Sequence, residues 1–132
     1  MSRGRTHHAA ELPGFIAESF GKRKGLLTYR ISNRSCEIVT LDRLAQGCGI
    51  GSALVRAAIR AARRAGCSRV WLLTTNDNVR ALRFYQRRGF RLTALRSGAI
   101  DRARRLKPQI PRLGDYGIEI RDELEFQLLL KP

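Results

Sequence analysis

The residues best suited by type and spacing to do chemistry form one short run, Gln46-Gly47-Cys48-Gly49-Ile50-Gly51-Ser52. Glycines at alternate positions let the main chain approach an anion without interference from Cβ and can adopt positive φ. A helical pattern starts directly afterwards, so consecutive backbone N–H groups stand at the positive end of a helix dipole. That arrangement binds phosphate oxygens. An ordinary strand-to-helix turn uses the same letters, so the neighbouring residues must decide.

Two familiar phosphate sites do not fit. A nucleoside-triphosphate loop needs lysine followed by serine or threonine after its last glycine, whereas Gly51 is followed by Ser52 and Ala53. A dinucleotide fold needs G-x-G-x-x-G and an acidic residue closing the next strand, but the next apolar run ends Leu73-Thr74-Thr75. Cys48 invites a nucleophile reading, yet the two histidines, His7 and His8, lie far away in sequence and neither is available to activate it. The cysteines Cys36, Cys48 and Cys67 are odd in number with no C-x-x-C spacing. This argues against a zinc finger or a disulfide framework, and no metal is expected.

The elements that must position these residues follow from the apolar pattern. Residues 1–11 read as a flexible basic arm. Residues 15–18 form a short strand, Gly21-Lys22-Arg23-Lys24-Gly25 a turn, and residues 26–31 the return strand. Asn33-Arg34 turns the chain into a third strand over residues 36–41, with Glu37, Val39 and Leu41 on one face and Ile38 and Thr40 on the other. After the glycine run, Leu54, Ala58 and Ala62 recur at helical spacing opposite Arg56, Arg60, Arg63 and Arg64, and Gly66 ends the helix. Residues 69–75 are a buried central strand, expected parallel to the third because a helix connects them. A second helix follows Asn76-Asp77-Asn78, which can cap it, and stops at Gly89; residues 90–95 resume as a strand. Residues 97–122 read as a long loop with one helical turn in 100–106, and Leu124, Phe126, Leu128 and Leu130 alternate as a closing strand. The whole, residues 1–132, is expected to be one α/β domain with a mixed sheet.

Gln46-Gly47-Cys48-Gly49-Ile50-Gly51 matches the pattern Q/R-x-x-G-x-G/A, and here the sequence resembles the GNAT superfamily of N-acetyltransferases. A second block extends the likeness: Asn78-Val79-Arg80-Ala81-Leu82-Arg83-Phe84-Tyr85-Gln86-Arg87-Arg88-Gly89-Phe90 is similar to the family's N-x-x-A-x-x-F-Y-x-x-x-G-F. The two blocks stand in the family's order, and the likeness runs from about Gly14 to the C-terminus.

The resemblance implies the GNAT fold, a central mixed sheet flanked by helices, and an acyltransferase that moves the acetyl group of acetyl-CoA onto a primary amine by direct attack. In such enzymes the parallel strands around the first helix splay apart, and the pantetheine arm pairs with the freed backbone of the earlier strand, here Val39, Thr40 and Leu41. The diphosphate would rest on Gln46, Gly47, Cys48, Gly49, Ile50, Gly51 and Ser52, with the Leu41 N–H facing the developing oxyanion. Asn78 would reach the pantetheine, although an asparagine before a helix is as readily a cap. Tyr85 would give its phenolic proton to the departing thiolate; its alternative is aromatic packing of the helix on the sheet, which Phe84 is also placed to do. Glu37 is the candidate base for the attacking amine, directly or through water.

Family members usually begin with a strand and one or two helices that wall the acceptor groove, whereas this chain has only a short arm before Phe15. The wall would then come from a piece outside this sequence, from a partner subunit in a homodimer, or from residues 97–122.

The formal net charge is +15, mostly arginine. A polyanionic partner such as nucleic acid, or a solvated arginine surface around one phosphorylated cofactor, would each account for it. A non-catalytic module of the same fold that binds CoA or nucleic acid is the rival function. No apolar run approaches the ~18 residues that span a bilayer, and no apolar signal core follows the first residues. A soluble, cytoplasmic protein without membrane contact is expected.

Overall fold

The computed structural model describes residues 12–43 and 49–131. Among these, six strands form one sheet in the order β1-β2-β3-β4-β6-β5, with β1 Gly14–Ser19, β2 Lys22–Ser32, β3 Ser35–Arg43, β4 Arg69–Thr75, β5 Arg91–Arg96 and β6 Glu123–Leu129. Three helices accompany them: α1 Ile50–Arg64, α2 Val79–Arg87 and α3 Ala99–Leu106. The mixed sheet and its helices agree with the fold expected from the sequence.

The chain divides into two compact units, and each is treated by itself. The first comprises residues 1–70 and 129–132. Its β1, β2 and β3 are an antiparallel meander. Both hairpin turns are two residues long, with positive φ at Phe20 and Gly21 and again at Asn33 and Arg34. This twist matches that of the flanking strands. The first turn is therefore Phe20-Gly21, not the five-residue run from Gly21 to Gly25. Gly25 lies inside β2, where a Cβ would meet Ile50 Cγ2 at 2.9 Å and Leu54 Cδ1 at 3.1 Å; a glycine is needed there because α1 packs onto the strand, not because the chain turns.

Helix α1 buries Leu54, Val55, Ala58 and Ala62 and leaves its arginines in solvent. Burial of each large apolar side chain is worth about 1.5–3 kcal/mol. Gly66, at φ +77°, closes the helix with its N–H on the carbonyl of Arg63. Cys67 N–H then bonds the carbonyl of Ala62, and Ser68 N–H that of Arg34 at 2.8 Å. Arg69 Nε also reaches Ser35 Oγ. The starts of β3 and β4 thus lie side by side and the two strands run in the same direction, as a helical crossover requires.

The second unit spans residues 71–128. Asn76 N–H bonds the carbonyl of Asp122, so the end of β4 meets the start of β6 and these strands are antiparallel, as are β5 and β6. Leu72, Tyr85, Phe90, Leu124 and Phe126 are its buried apolar side chains. The segment 97–122 is more ordered than the expected loop. It contains the eight-residue helix α3, a 3-10 turn at Asp115–Gly117 and a bridge between Leu113 and Glu119.

Candidate functional site

Of the glycine run, Gln46, Gly47 and Cys48 lie outside the described residues. Gly49 is the N-cap of α1 at φ +72°, with no side-chain cap and no acidic residue in the first turn. Its carbonyl accepts the Ala53 N–H. The positive pole of a 15-residue helix therefore opens on a glycine directly after the segment that follows β3, with no acidic residue in its own first turn. Ile50, Gly51 and Ser52 form the first turn, and Gly51 is buried.

Strand β3 carries a bulge. Thr28 pairs with Thr40, but Tyr29 pairs with Ile38, leaving Val39 as the extra residue. The inserted residue breaks the alternation that placed Glu37 beside Leu41. By register, Cys36, Ile38 and Leu41 share the face of Gly25, Leu27, Tyr29 and Ile31, which is the face that α1 covers. Glu37 and Thr40 instead share the opposite face with Thr28 and Arg30. Strict period-two reading could not have found this, because an inserted residue leaves no mark in the letters. On that face Glu37 accepts a hydrogen bond from Arg30 at 2.9 Å, and its side chain is only 14% exposed.

On α2, Asn78 is the N-cap. Its Oδ1 accepts the Ala81 N–H at 3.1 Å and its Nδ2 donates to Thr74 Oγ1 at 3.0 Å, so among the described residues the second amide hydrogen has no acceptor. Tyr85 is 6% exposed, its ring edge-on to Phe84 and Phe90 at 5.0 and 5.2 Å and tilted against Phe126 at 6.3 Å. Phe84 is less buried and carries the Arg88 guanidinium over its face at 3.7 Å. Of the two aromatics, Tyr85 is the one held by contacts with three other rings.

Two residues just before the cap had no role assigned beyond capping and organise the late segment. Asn76 Oδ1 accepts the N–H groups of Arg121 and Asp122, each at 2.9 Å, while its Nδ2 donates to the carbonyl of Glu119. The buried Asp77 accepts from Thr75 Oγ1 and from the Asp115 N–H. Their sequence signal, three Asn/Asp side chains in a row after a strand, is the same one that marks a cap.

Cys36 and Cys67 are buried free thiols. Burial above all, and then the neighbouring Cys67 and Glu37, push the Cys36 thiol up to about 11, which keeps it protonated at neutral pH. Among the described residues no group of three or more His, Cys, Asp or Glu is placed to hold a metal ion, and no helix is long and apolar enough to cross a membrane.

The sequence pattern of the Acetyltransferase (GNAT) family matches residues 4–90. Two uncharacterised proteins of Bacillus subtilis (strain 168) are related. YdhI is 45% identical over 121 residues, covering 91% of this chain and 76% of its own length; YxbD is 48% identical over 100 residues, covering 76% and 63%. Among solved structures, a Bacillus subtilis acetyltransferase in complex with CoA superposes with a TM-score of 0.84 at 24% identity, over 98% of this chain and 85% of that one. The IAA acetyltransferase of Bacillus cereus superposes at 0.81 with 25% identity, over 98% and 85%. A GNAT family acetyltransferase of Elizabethkingia anophelis with acetyl-CoA bound does so at 0.83 with 21% identity, over 98% and 84%. Given the family match over residues 4–90 and the 45% identity to YdhI, the chain belongs to the GNAT family of acetyltransferases.

Proposed function

We propose that this protein is an N-acetyltransferase that passes the acetyl group of acetyl-CoA directly to a primary amine. The observation that carries the reading is Gly49 in the left-handed conformation, opening the N-terminus of α1, which has no side-chain cap and no acidic residue in its first turn. Such a pole suits a diphosphate, and structural neighbours of the same fold are complexes with CoA or acetyl-CoA. In this reading Gln46, Gly47, Cys48, Gly49, Ile50, Gly51 and Ser52 hold the diphosphate, and Val39, Thr40 and Leu41 present their backbone to the pantetheine arm. The bulge at Val39 supports that role, because an inserted residue leaves the strand locally unpaired.

The amine nitrogen attacks the thioester carbonyl carbon, the C–S bond breaks, and the thiolate takes a proton. Tyr85 supplies that proton, the Leu41 N–H faces the oxyanion, and the second amide hydrogen of Asn78 is available to the pantetheine. The proton lost by the amine passes to Glu37, directly or through water, while Arg30 holds the carboxylate in place. No metal takes part. Thiol release from acetyl-CoA, measured with a panel of amines and free peptides, tests the reading; no release with any of them, or no heat of binding with CoA, would sink it.

A second reading is favoured by α1 itself. Arg56, Arg60, Arg63 and Arg64 are exposed along it, none forms an ion pair with a described residue, and the helix contains no acidic residue. A helix with like charges at i, i+4 suits a nucleic-acid backbone. A steep, salt-dependent mobility shift on RNA without thiol release would favour a binding module over an enzyme.

A further inference from the structure

One sheet face of the first unit carries a buried hydroxyl that the proposed mechanism does not use. Opposite the face covered by α1, β2 and β3 present the cross-strand pairs Leu26 with Asp42, Thr28 with Thr40, and Arg30 with Glu37. Thr28 is 4% exposed, and among the described residues its Oγ1 is the one buried side-chain oxygen or nitrogen without a hydrogen-bond partner. A buried orphan hydroxyl is costly, and valine would fill the same volume without that cost. The position is also particular: Thr28 is the last paired residue of β2 before the register shift at Val39, and Arg30, the partner of Glu37, is the next residue of β2 on that face. Thr28 and Glu37 are diagonal neighbours across β2 and β3, and such residues stand about 7–8 Å apart, a gap that one nitrogen hydrogen-bonded to both side chains can bridge.

We propose that Thr28 is a specificity-determining residue for the acceptor, its hydroxyl oxygen accepting one N–H of a neutral primary amine whose other N–H is held by Glu37. With both N–H bonds anchored, the nitrogen lone pair is left free to point at the thioester carbonyl. The role rests on the acetyl-transfer reading. It selects by hydrogen count: a primary amine satisfies both acceptors, whereas an N-methylated secondary amine has one N–H and leaves Thr28 unpaired again.

The test uses two probe pairs, an alanine-initiated tripeptide with its N-methyl counterpart and N-α-acetyl-lysine amide with its N-ε-methyl counterpart. Thiol release is followed for the wild type, Thr28→Val and Thr28→Ser. The wild type should prefer the primary amine. Thr28→Val should lower kcat/KM for it by at least about tenfold, leave the secondary amine unchanged, and so close the gap, while Thr28→Ser restores it. CoA affinity by calorimetry should be the same in all three, and Thr28→Val should melt no lower than the wild type. An unchanged ratio of primary to secondary amine in Thr28→Val overturns the role even though transfer itself persists. No turnover by the wild type with either pair, despite CoA binding, overturns the role together with the transfer reading for these amines.

Discussion

Asp77 Oδ2 accepts the main-chain N–H of Asp115 at 3.1 Å, and Gly114, the preceding residue, lies so close to the same carboxylate that there is no room for a Cβ. The turn after β4 and the late segment before β6 are thereby fastened together, Asn76 bonding residues 119, 121 and 122 and Asp77 the backbone at 115. Gly114→Ala must push the buried carboxylate or the strap aside. Strain of this kind costs about 1–3 kcal/mol, and at this chain length each kcal/mol lowers Tm by several degrees. A melting curve superimposable on that of the wild type would show that the contact is slack.

Tyr85→Phe separates packing from chemistry. The ring contacts with Phe84, Phe90 and Phe126 survive the change, so stability should move by less than about 1.5 kcal/mol and CoA affinity should be kept. Loss of the proton donor should lower kcat by roughly 10²-fold or more. Tyr85→Ala is the contrast, because it empties the cluster and should cost about 3–5 kcal/mol of stability. Full activity in Tyr85→Phe would return this tyrosine to a packing role alone.

What the letters reveal, and what they hide, follows from the kind of order involved. Asn78 as a cap, the apolar stripe of Leu54, Ala58 and Ala62, and the alternation of Leu124 and Phe126 are local patterns, and all are present in the structure. The bulge at Val39 is not local: only the pairing of Tyr29 with Ile38 reveals it, and it moves Glu37 to the face away from Leu41. Gly25 looked like a turn residue because its need for space comes from Ile50 and Leu54, two dozen residues and more away. Helix α3 exceeds its expected single turn because tertiary bonds hold it: Gly98 N–H on Asp122, Ile100 N–H on the Arg121 carbonyl, and Arg104 on the carbonyls of Ile110, Pro111 and Ile120.

The buried Cys36 thiol makes stability depend on alkaline pH. Its folded value of about 11 lies above the roughly 8.5 of an exposed thiol, so the unfolded chain loses the proton first. Stability from this group is therefore complete below about pH 8.5 and is lost as pH rises toward 11, by at most about 3–3.5 kcal/mol. Urea unfolding at neutral and alkaline pH should show this loss in the wild type and a flatter profile in Cys36→Ala. Equal slopes in the two proteins would mean that another group titrates.

Helix α1 is stabilised by its buried stripe against its own charges. Arg56, Arg60 and Arg64 stand at i, i+4 and i+8, so each neighbouring pair is repulsive. Arg60→Glu turns both pairs attractive. At about 0.2–0.5 kcal/mol per pair for each of the lost repulsion and the gained attraction, the variant should be more stable by roughly 1 kcal/mol at low salt. Near 1 M salt, where screening acts over about 3 Å, the gain should vanish. The same change removes one cation from the face and adds an anion, so any RNA mobility shift should weaken and its salt dependence flatten. Thiol release, which does not draw on this face, should be unaltered. If stability rises while RNA binding is untouched, the arginine face is only a solvated surface, and the basic charge must serve elsewhere on the molecule.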